Sequence, residues 1–294
     1  MSNSLSDQLQ IWGFESDYII FADGSIGFGL DCIPTDISTF SDDRINSLSA
    51  QIGQFLNSLS AKTDIQFVQD IEPGNDKIIN EYLKSSMLAK NEIAKALSQS
   101  RAETLQVEDK QGQLPHHGLK VFVRRSFSQN ILDKPKIFSK EKQFQEISEE
   151  RLKREIQITQ RLEENIIQGL SLLQVTACSL SSDEIAKVLY QQWNPSRNVG
   201  LKIYDPEDLR HSILFSDVGV SLSGFVIGET HFRVLSLKNL PDQTYSCMAS
   251  ALRDLPFKSR LLVTIHSPDQ MKEIEGLQTQ RRIAYSMDVG KKTG

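Results

Sequence analysis

Near the start of this chain an apolar segment is followed by a segment in which hydrophobic and polar residues alternate, and the pattern predicts a β-hairpin. Residues 18–22 are mainly apolar, and residues 25–32 alternate apolar with small or polar side chains. The apolar positions of the second segment are Ile26, Phe28, Leu30 and Cys32. Asp23 and Gly24 separate the segments, and this dipeptide favours a tight turn between antiparallel strands. We therefore expect a hairpin with one buried face.

The same order of elements is predicted twice, once near each end of the chain. The first copy continues with a helix, a strand and a second helix, at residues 42–60, 65–71 and 76–105. The second copy has a hairpin at 225–237, a short helix, a strand at 261–266 and a last helix from Asp269. A ββαβα unit buries one face of its sheet under its helices. The repeat therefore predicts an α+β fold with two ββαβα-like lobes whose sheets are antiparallel or mixed.

A long charged helix is predicted between the two copies, over about residues 140–174. Its apolar positions recur at helical spacing and are Leu152, Ile156, Leu162, Ile166, Leu170 and Leu173. Its first half mixes acidic and basic residues at i,i+4 spacing, which is typical of a solvated face, although a docking surface for a partner helix is the alternative. The predicted domains are a first lobe over 1–118, a strand, loop and connecting helix over 119–180, and a second lobe over 181–294.

The composition excludes several classes of protein. The chain has 294 residues and a net charge of −5, with 33 basic and 38 acidic residues, which argues against a chain-wide electrostatic grip on nucleic acid. Three widely separated cysteines indicate neither a disulfide framework nor a zinc site. The N-terminal residues lack the pattern of a signal peptide, and no run of about 18 apolar residues predicts a membrane span. A cytoplasmic protein is therefore expected.

No segment predicts catalysis by this chain alone. Gly24, Gly27 and Gly29 lie in a hairpin and not before a helix N-terminus, so they do not predict a phosphate-binding loop. A P-loop at Gly290-Lys291 would need a glycine where Tyr285 stands. His116 and His117 lie in a predicted polar loop, where an exposed pair more often faces solvent than binds a metal, and His211, His231 and His266 are scattered without a Cys, Asp or Glu at ligand spacing. We expect no catalytic residue, no cofactor and no metal in this chain.

Clusters of basic residues are the candidate partner contacts. They are Arg124, Arg125, Arg151, Lys153, Arg154, Arg281 and Arg282. Guanidinium groups bind phosphates and carboxylates in two-pronged fashion, but exposed arginines more often form surface ion pairs. Both interpretations remain open for these residues.

Several segments, taken in order, resemble the N-terminal region of the TraC/VirB-type conjugation ATPases. The first is residues 23–30 (DGSIGFGL), together with the helix predicted at 42–60. The others are residues 190–195 (YQQWNP), 234–241 (VLSLKNLP), 281–284 (RRIA) and 290–294 (GKKTG). The resemblance extends over nearly the whole chain. In that family this region precedes a RecA-like motor domain that holds the nucleotide-binding loops, and this chain stops before any such loop.

The resemblance implies a docking and assembly domain of a type IV secretion ATPase. Such a domain anchors the motor to the inner-membrane secretion complex during pilus assembly and DNA transfer. The implied partners are inner-membrane secretion components, with homo-oligomers forming through the motor domain. ATP and Mg²⁺ would be bound by that domain and not by this chain. The implied location is the cytoplasmic face of a bacterial inner membrane.

Two other functions are compatible with the residue pattern. The first is a nucleic-acid-binding module that uses Arg124, Arg125 and the basic residues of the long helix, although the acidic composition makes nucleic acid an unfavourable partner. The second is an autonomous regulatory protein that self-assembles through the long helix.

Overall fold

The computed structural model describes residues 9–111, 114–126, 149–197, 209–222, 224–235, 243 and 257–292. The strands are β1 Ile11–Glu15, β2 Tyr18–Phe21, β3 Ile26–Ile33, β4 Thr63–Pro73, β5 Pro115–Arg125, β6 Thr176–Ser179, β7 Val218–Ser221, β8 Gly224–Ile227, β9 Thr230–Phe232 and β10 Ser259–Ser267. The helices are α1 Asp42–Asn57, α2 Asp76–Ser86, α3 Glu92–Lys110, α4 Glu149–Leu172, α5 Ser182–Trp193, α6 Leu209–Ile213 and α7 Gln270–Lys292. Helices accompany sheets of antiparallel strands, so the α+β fold class is confirmed.

The strands form a main sheet and a small sheet. The main sheet has the order β1-β2-β3-β5-β4-β10, and β6 also pairs with β3. The small sheet has the order β7-β8-β9. Every pairing is antiparallel.

The predicted hairpin is confirmed as β2 and β3. Gly24 adopts a φ of 80°, a left-handed conformation that glycine reaches without steric cost. Asp23 Oδ1 accepts hydrogen bonds from the backbone N of Ser25 at 3.0 Å and from its Oγ at 2.6 Å, which closes the turn. Ile26 and Phe28 are buried on the inner face of β3, as the alternation predicts.

The repeat predicts separate lobes, but strand β10 of the second predicted copy lies in the main sheet with strands of the first copy, and the hairpin strands β8 and β9 of the second copy lie in the small sheet. Strand β10, from the second copy, pairs with β4 of the first along nine residues, from Ser259 opposite Ile71 to Ser267 opposite Thr63. Strand β5, predicted to lie between the lobes, instead runs between β3 and β4. Apolar residues recur at alternate positions along these strands. Pairing the strands in this register therefore produces one continuous apolar face.

Helices α1 and α4 cover that apolar face. The buried cluster contains residues of β3, β4 and β5 together with Phe55 of α1 and Ile166 and Leu170 of α4. Gly169 lies where α4 meets the ring of Phe55, and an added Cβ there would lie 2.5 Å from Cδ2 of that ring. The long helix therefore packs on the sheet along its apolar stripe. Its predicted residues 140–148 lie outside the described residues, as does the predicted loop around Pro135.

The opposite face of the sheet is covered at one end by α5. Ile19, Leu180 and Ile185 form a buried cluster there, and Phe122 of β5 packs against it. A capping box at Ser181 starts α5: its Oγ accepts from the backbone N of Glu184, and the Glu184 carboxylate accepts from the backbone N of Ser181.

Three further predictions of secondary structure need correction. The single helix predicted for residues 76–105 is two helices, because Asn91 starts a new one by accepting a hydrogen bond from the backbone N of Ile93 at 2.9 Å. The loop predicted to hold residues 116–117 is instead the start of β5. Strand β1 was not predicted, since a register shift near Gly13 interrupts its alternation. The short helix predicted before the strand at 261–266 lies outside the described residues.

None of the helices, within the residues described, is both long enough and apolar enough to cross a lipid bilayer.

Candidate functional site

Arg124 is engaged with the β2–β3 turn. Its Nε donates to Ser25 Oγ at 2.7 Å, its Nη1 donates to Gln10 Oε1 at 2.9 Å, and its Nη2 is ion-paired with Asp23. Its guanidinium also lies 4.6 Å from the centroid of the Phe21 ring. Burial would raise the pKa of Asp23, but the hydrogen bonds from Ser25 and the charge of Arg124 outweigh it and lower the pKa below its ordinary value. Arg124 therefore holds the turn to β5.

Arg125, the next residue, joins β5 to α4. Its Nη1 contacts Glu155 Oε2 at 2.8 Å, and both side chains are largely buried. Removing one partner of a buried ion pair leaves an uncompensated charge. This pair therefore fixes the long helix on the sheet.

Glu163 makes a second polar connection between α4 and the sheet. The carboxylate is buried and accepts hydrogen bonds from Tyr18 Oη at 2.7 Å and Ser179 Oγ at 2.5 Å. Burial of the phenol, its hydrogen bond to Glu163 and the negative charge of that residue raise the pKa of Tyr18. The three groups therefore link α4, β2 and β6 inside the fold.

The remaining basic candidates lie on two separate helices. At the start of α4, Lys153 is exposed and contacts Glu149 at 2.6 Å, Arg151 is half-buried and has a partner, and Arg154 is exposed. Arg281 and Arg282 are exposed on α7. Arg124 and Arg125 are consecutive residues of β5, so their side chains point to opposite faces of the sheet, and they contact the β2–β3 turn and α4 respectively.

Helix α7 is exposed along its described length. Every side chain described between Gln270 and Ile283 is exposed. Met271, Ile274 and Leu277 are spaced three residues apart, so they lie within about 120° of the helix circumference. Met271 and Leu277 are more than half exposed, and Ile274 is half exposed. The sequence predicts a helix from Asp269, but it does not show that these apolar side chains are exposed.

Asn194 connects α5 to the segment that leads into the small sheet. The side chain is buried, and its Nδ2 donates to the carbonyl oxygens of Tyr190 at 2.8 Å and Ile213 at 2.7 Å. Its Oδ1 accepts from the backbone N of Phe215 at 3.2 Å and from Ser216 Oγ at 3.0 Å. All four hydrogen-bonding positions of the amide are therefore satisfied.

The small sheet has an apolar face beside Trp193. A groove of about 480 Å³ is lined there by Trp193, Val218, Val220, Ser221, Leu222, Gly224, Phe225, Ile227 and Val234. Val220 and Leu222 are strongly exposed. Val218, Val220 and Leu222 alternate in the sequence as strand residues do, but the open face could not be inferred because a sequence does not show what covers a sheet.

The described residues hold no group of three or more His, Cys, Asp and Glu that could bind a metal ion. His116 and His117 lie on β5, opposite Glu72 and Ile71, and not in the predicted loop. Burial raises the pKa of the Cys32 thiol to about 11, which makes it a poor nucleophile.

Neither the protein-family models nor the curated proteins compared with this chain match it.

Proposed function

We propose that this chain is a docking and assembly domain of a conjugative type IV secretion ATPase. In this proposal it anchors the ATP-hydrolysing part to the secretion complex of the inner membrane, on the cytoplasmic side. The residue motifs that resemble the TraC/VirB-type proteins support the assignment, and the α+β fold is compatible with it.

The observation that carries the proposal is the position of α7. The helix begins three residues after β10, which is paired with β4 along nine residues and is thus part of the main sheet. Met271, Ile274 and Leu277 are nevertheless exposed. Three exposed apolar side chains on one side of a helix that follows a paired strand favour contact with another domain or protein.

The intramolecular contacts of the candidate arginines support docking over nucleic-acid binding. Arg124 and Arg125 are held by Asp23 and Glu155, so a phosphate would have to displace these carboxylates. Self-assembly through the long helix is likewise less supported, because the stripe that includes Ile166 and Leu170 is buried in the main core.

The experiment is capture of secretion components by the purified chain. Inner membranes from donor cells with an active conjugation system are solubilised in detergent and passed over immobilised chain, and retained proteins are identified by mass spectrometry. We expect the inner-membrane secretion components and the ATP-hydrolysing domain to be retained. The same preparation should not hydrolyse ATP.

The matched variants differ only at exposed apolar positions. Combined Met271→Gln, Ile274→Gln and Leu277→Gln substitutions keep good helix formers on α7 and should abolish retention of the ATP-hydrolysing domain. Leu172→Gln removes an equally exposed apolar side chain at the end of α4 and should leave it unchanged. Equal retention by all three proteins, or ATP turnover by the chain itself, would contradict the proposal.

A further inference from the structure

The turn between α2 and α3 carries a patch of exposed apolar side chains. Met87 is 66% exposed, Leu88 84%, Ile93 71% and Leu97 67%. Met87 and Leu88 are adjacent, and Ile93 and Leu97 are one helical turn apart on the same side of α3. We refer to residues 84–97 as the hairpin tip. Single exposed apolar residues are common, but neighbouring ones mark an interaction surface.

At the other end of this helical hairpin, hydrogen bonds join the two helices. The backbone N of Asn75 donates to Asp109 Oδ2 at 2.8 Å, and Asn75 Nδ2 donates to Asp109 Oδ1 at 3.0 Å. These contacts join the start of α2 to the end of α3, so the helices run antiparallel. Because α2 has 11 residues, the tip lies about 16 Å from this base.

The charges around the apolar patch are mainly positive. The hairpin tip contains Lys84, Lys90 and Lys95 and one acidic residue, Glu92, in a chain whose net charge is −5. Lys84 and Lys90 are exposed, whereas Lys95 Nζ contacts Glu92 Oε1 at 2.8 Å. Apolar side chains bordered by lysines match the chemistry of an anionic bilayer, in which acyl chains lie beneath phosphate groups.

We propose that the hairpin tip binds the surface of an anionic lipid bilayer. Met87, Leu88 and Ile93 enter the boundary between headgroups and acyl chains, while Lys84 and Lys90 lie next to lipid phosphates. The binding is peripheral and reversible, because one short apolar tip buries little area. This inference depends only on residues of α2, α3 and the turn between them. Lipid binding can therefore fail while docking through α7 succeeds, and docking can fail while lipid binding succeeds.

The test uses the full chain and vesicles of defined composition. We expect it to sediment with vesicles of 70% phosphatidylcholine and 30% phosphatidylglycerol and not with phosphatidylcholine alone. Leu88→Gln with Ile93→Gln, and separately Lys84→Gln with Lys90→Gln, should each lower the binding constant about tenfold. The exposed Leu172→Gln substitution on α4 serves as the matched control and should bind like the unmodified chain.

A fluorescence experiment distinguishes insertion of the tip from indirect binding. A Leu88→Trp variant should show emission shifted to shorter wavelength on adding the anionic vesicles, relative to the unmodified chain, because the new indole enters a less polar environment. Leu172→Trp should show no shift. The proposal is overturned if the chain does not bind anionic vesicles, if both pairs of substitutions leave binding unchanged, or if only Leu172→Trp responds. Binding of an acidic protein helix without vesicle binding would also overturn it.

Discussion

Arg260 of β10 donates from Nε to Oδ1 of Asp70 on β4 at 2.5 Å, and the two residues are direct cross-strand partners. Two similar pairs flank it, Lys258 with Glu72 at 2.5 Å and His266 with Asp64 at 2.8 Å. Acidic side chains on β4 thus face basic ones around β10. Because a shift of one residue would place every pair on opposite faces, these contacts favour the observed register.

The first prediction concerns this register. Asp70→Ala and Arg260→Ala should each lower the free energy of unfolding, and the double variant should lose less than the sum. The coupling should be about 0.5–1 kcal/mol, since both groups are partly exposed to solvent. Urea denaturation of the four proteins of the cycle measures it. A coupling of zero would show that the register is set by the apolar residues alone.

The second prediction compares two glycines inside helices. At Gly169 of α4 an added Cβ would lie 2.5 Å from the buried ring of Phe55, whereas at Gly53 of α1 no atom lies within 4 Å. Gly169→Ala should therefore destabilise the protein by about 1–3 kcal/mol through overpacking. Gly53→Ala should stabilise it by up to about 1 kcal/mol, because alanine favours the helix.

Thermal and urea unfolding of both glycine variants give the answer. The opposite signs are the decisive feature, since helix propensity acts in the same direction at both positions. If Gly169→Ala were as stabilising as Gly53→Ala, the packing of α1 against α4 would be incorrect.

The third prediction concerns the connection to the small sheet. Asn194→Ala leaves the carbonyl oxygens of Tyr190 and Ile213 without their donor, so we expect a loss of about 3 kcal/mol in the free energy of unfolding. Asn165→Ala, on the exposed side of α4, is the control and should be neutral. Hydrogen exchange of the β7–β9 amides would also rise in Asn194→Ala. Unchanged exchange there would indicate that the side chain does not hold the small sheet.

The fourth prediction is a dependence of stability on alkaline pH. The pKa of Tyr18 is raised in the folded chain above its ordinary value of 10.0. Above pH 10 the unfolded chain releases the phenolic proton while the folded chain retains it, so this stabilisation is full below pH 10 and is lost as the pH rises. Tyr18→Phe should therefore show a smaller loss of stability between pH 9 and 11. An identical pH profile for both proteins would contradict the raised pKa of Tyr18, which follows first from burial of the phenol and then from its hydrogen bond to Glu163.

Local patterns were enough to predict much of the fold. The turn at Asp23 and Gly24, the helix from Asp42 and the strand that became β4 follow from nearest-neighbour chemistry, and the structure confirms them. The Oγ of Ser41 accepts from the backbone N of Arg44 at 3.4 Å, as an N-cap should. These features depend on a few consecutive residues and therefore leave a clear pattern.

Such local patterns could not predict which strands, distant in sequence, pair with one another. The residue pattern at 261–266 predicts a strand from local sequence alone. Its partner β4 lies nearly 200 residues earlier and is selected by packing of the whole core. The break between α2 and α3 did have a local signal, Asn91 followed by Glu92, which favours a helix start. The partners of Arg124 and Arg125 could not be predicted, since Asp23 and Glu155 are distant in sequence.

The most direct test of the docking account is photo-crosslinking from α7 in living donor cells. The chain carries p-benzoylphenylalanine in place of Leu277 and is irradiated during conjugation, and adducts are identified by mass spectrometry. The same substitution at Glu164, exposed on α4, is the control. The account predicts adducts from position 277 with the ATP-hydrolysing domain or an inner-membrane secretion component, and none from position 164. Equal adducts from both positions, or none with any secretion protein, would contradict it.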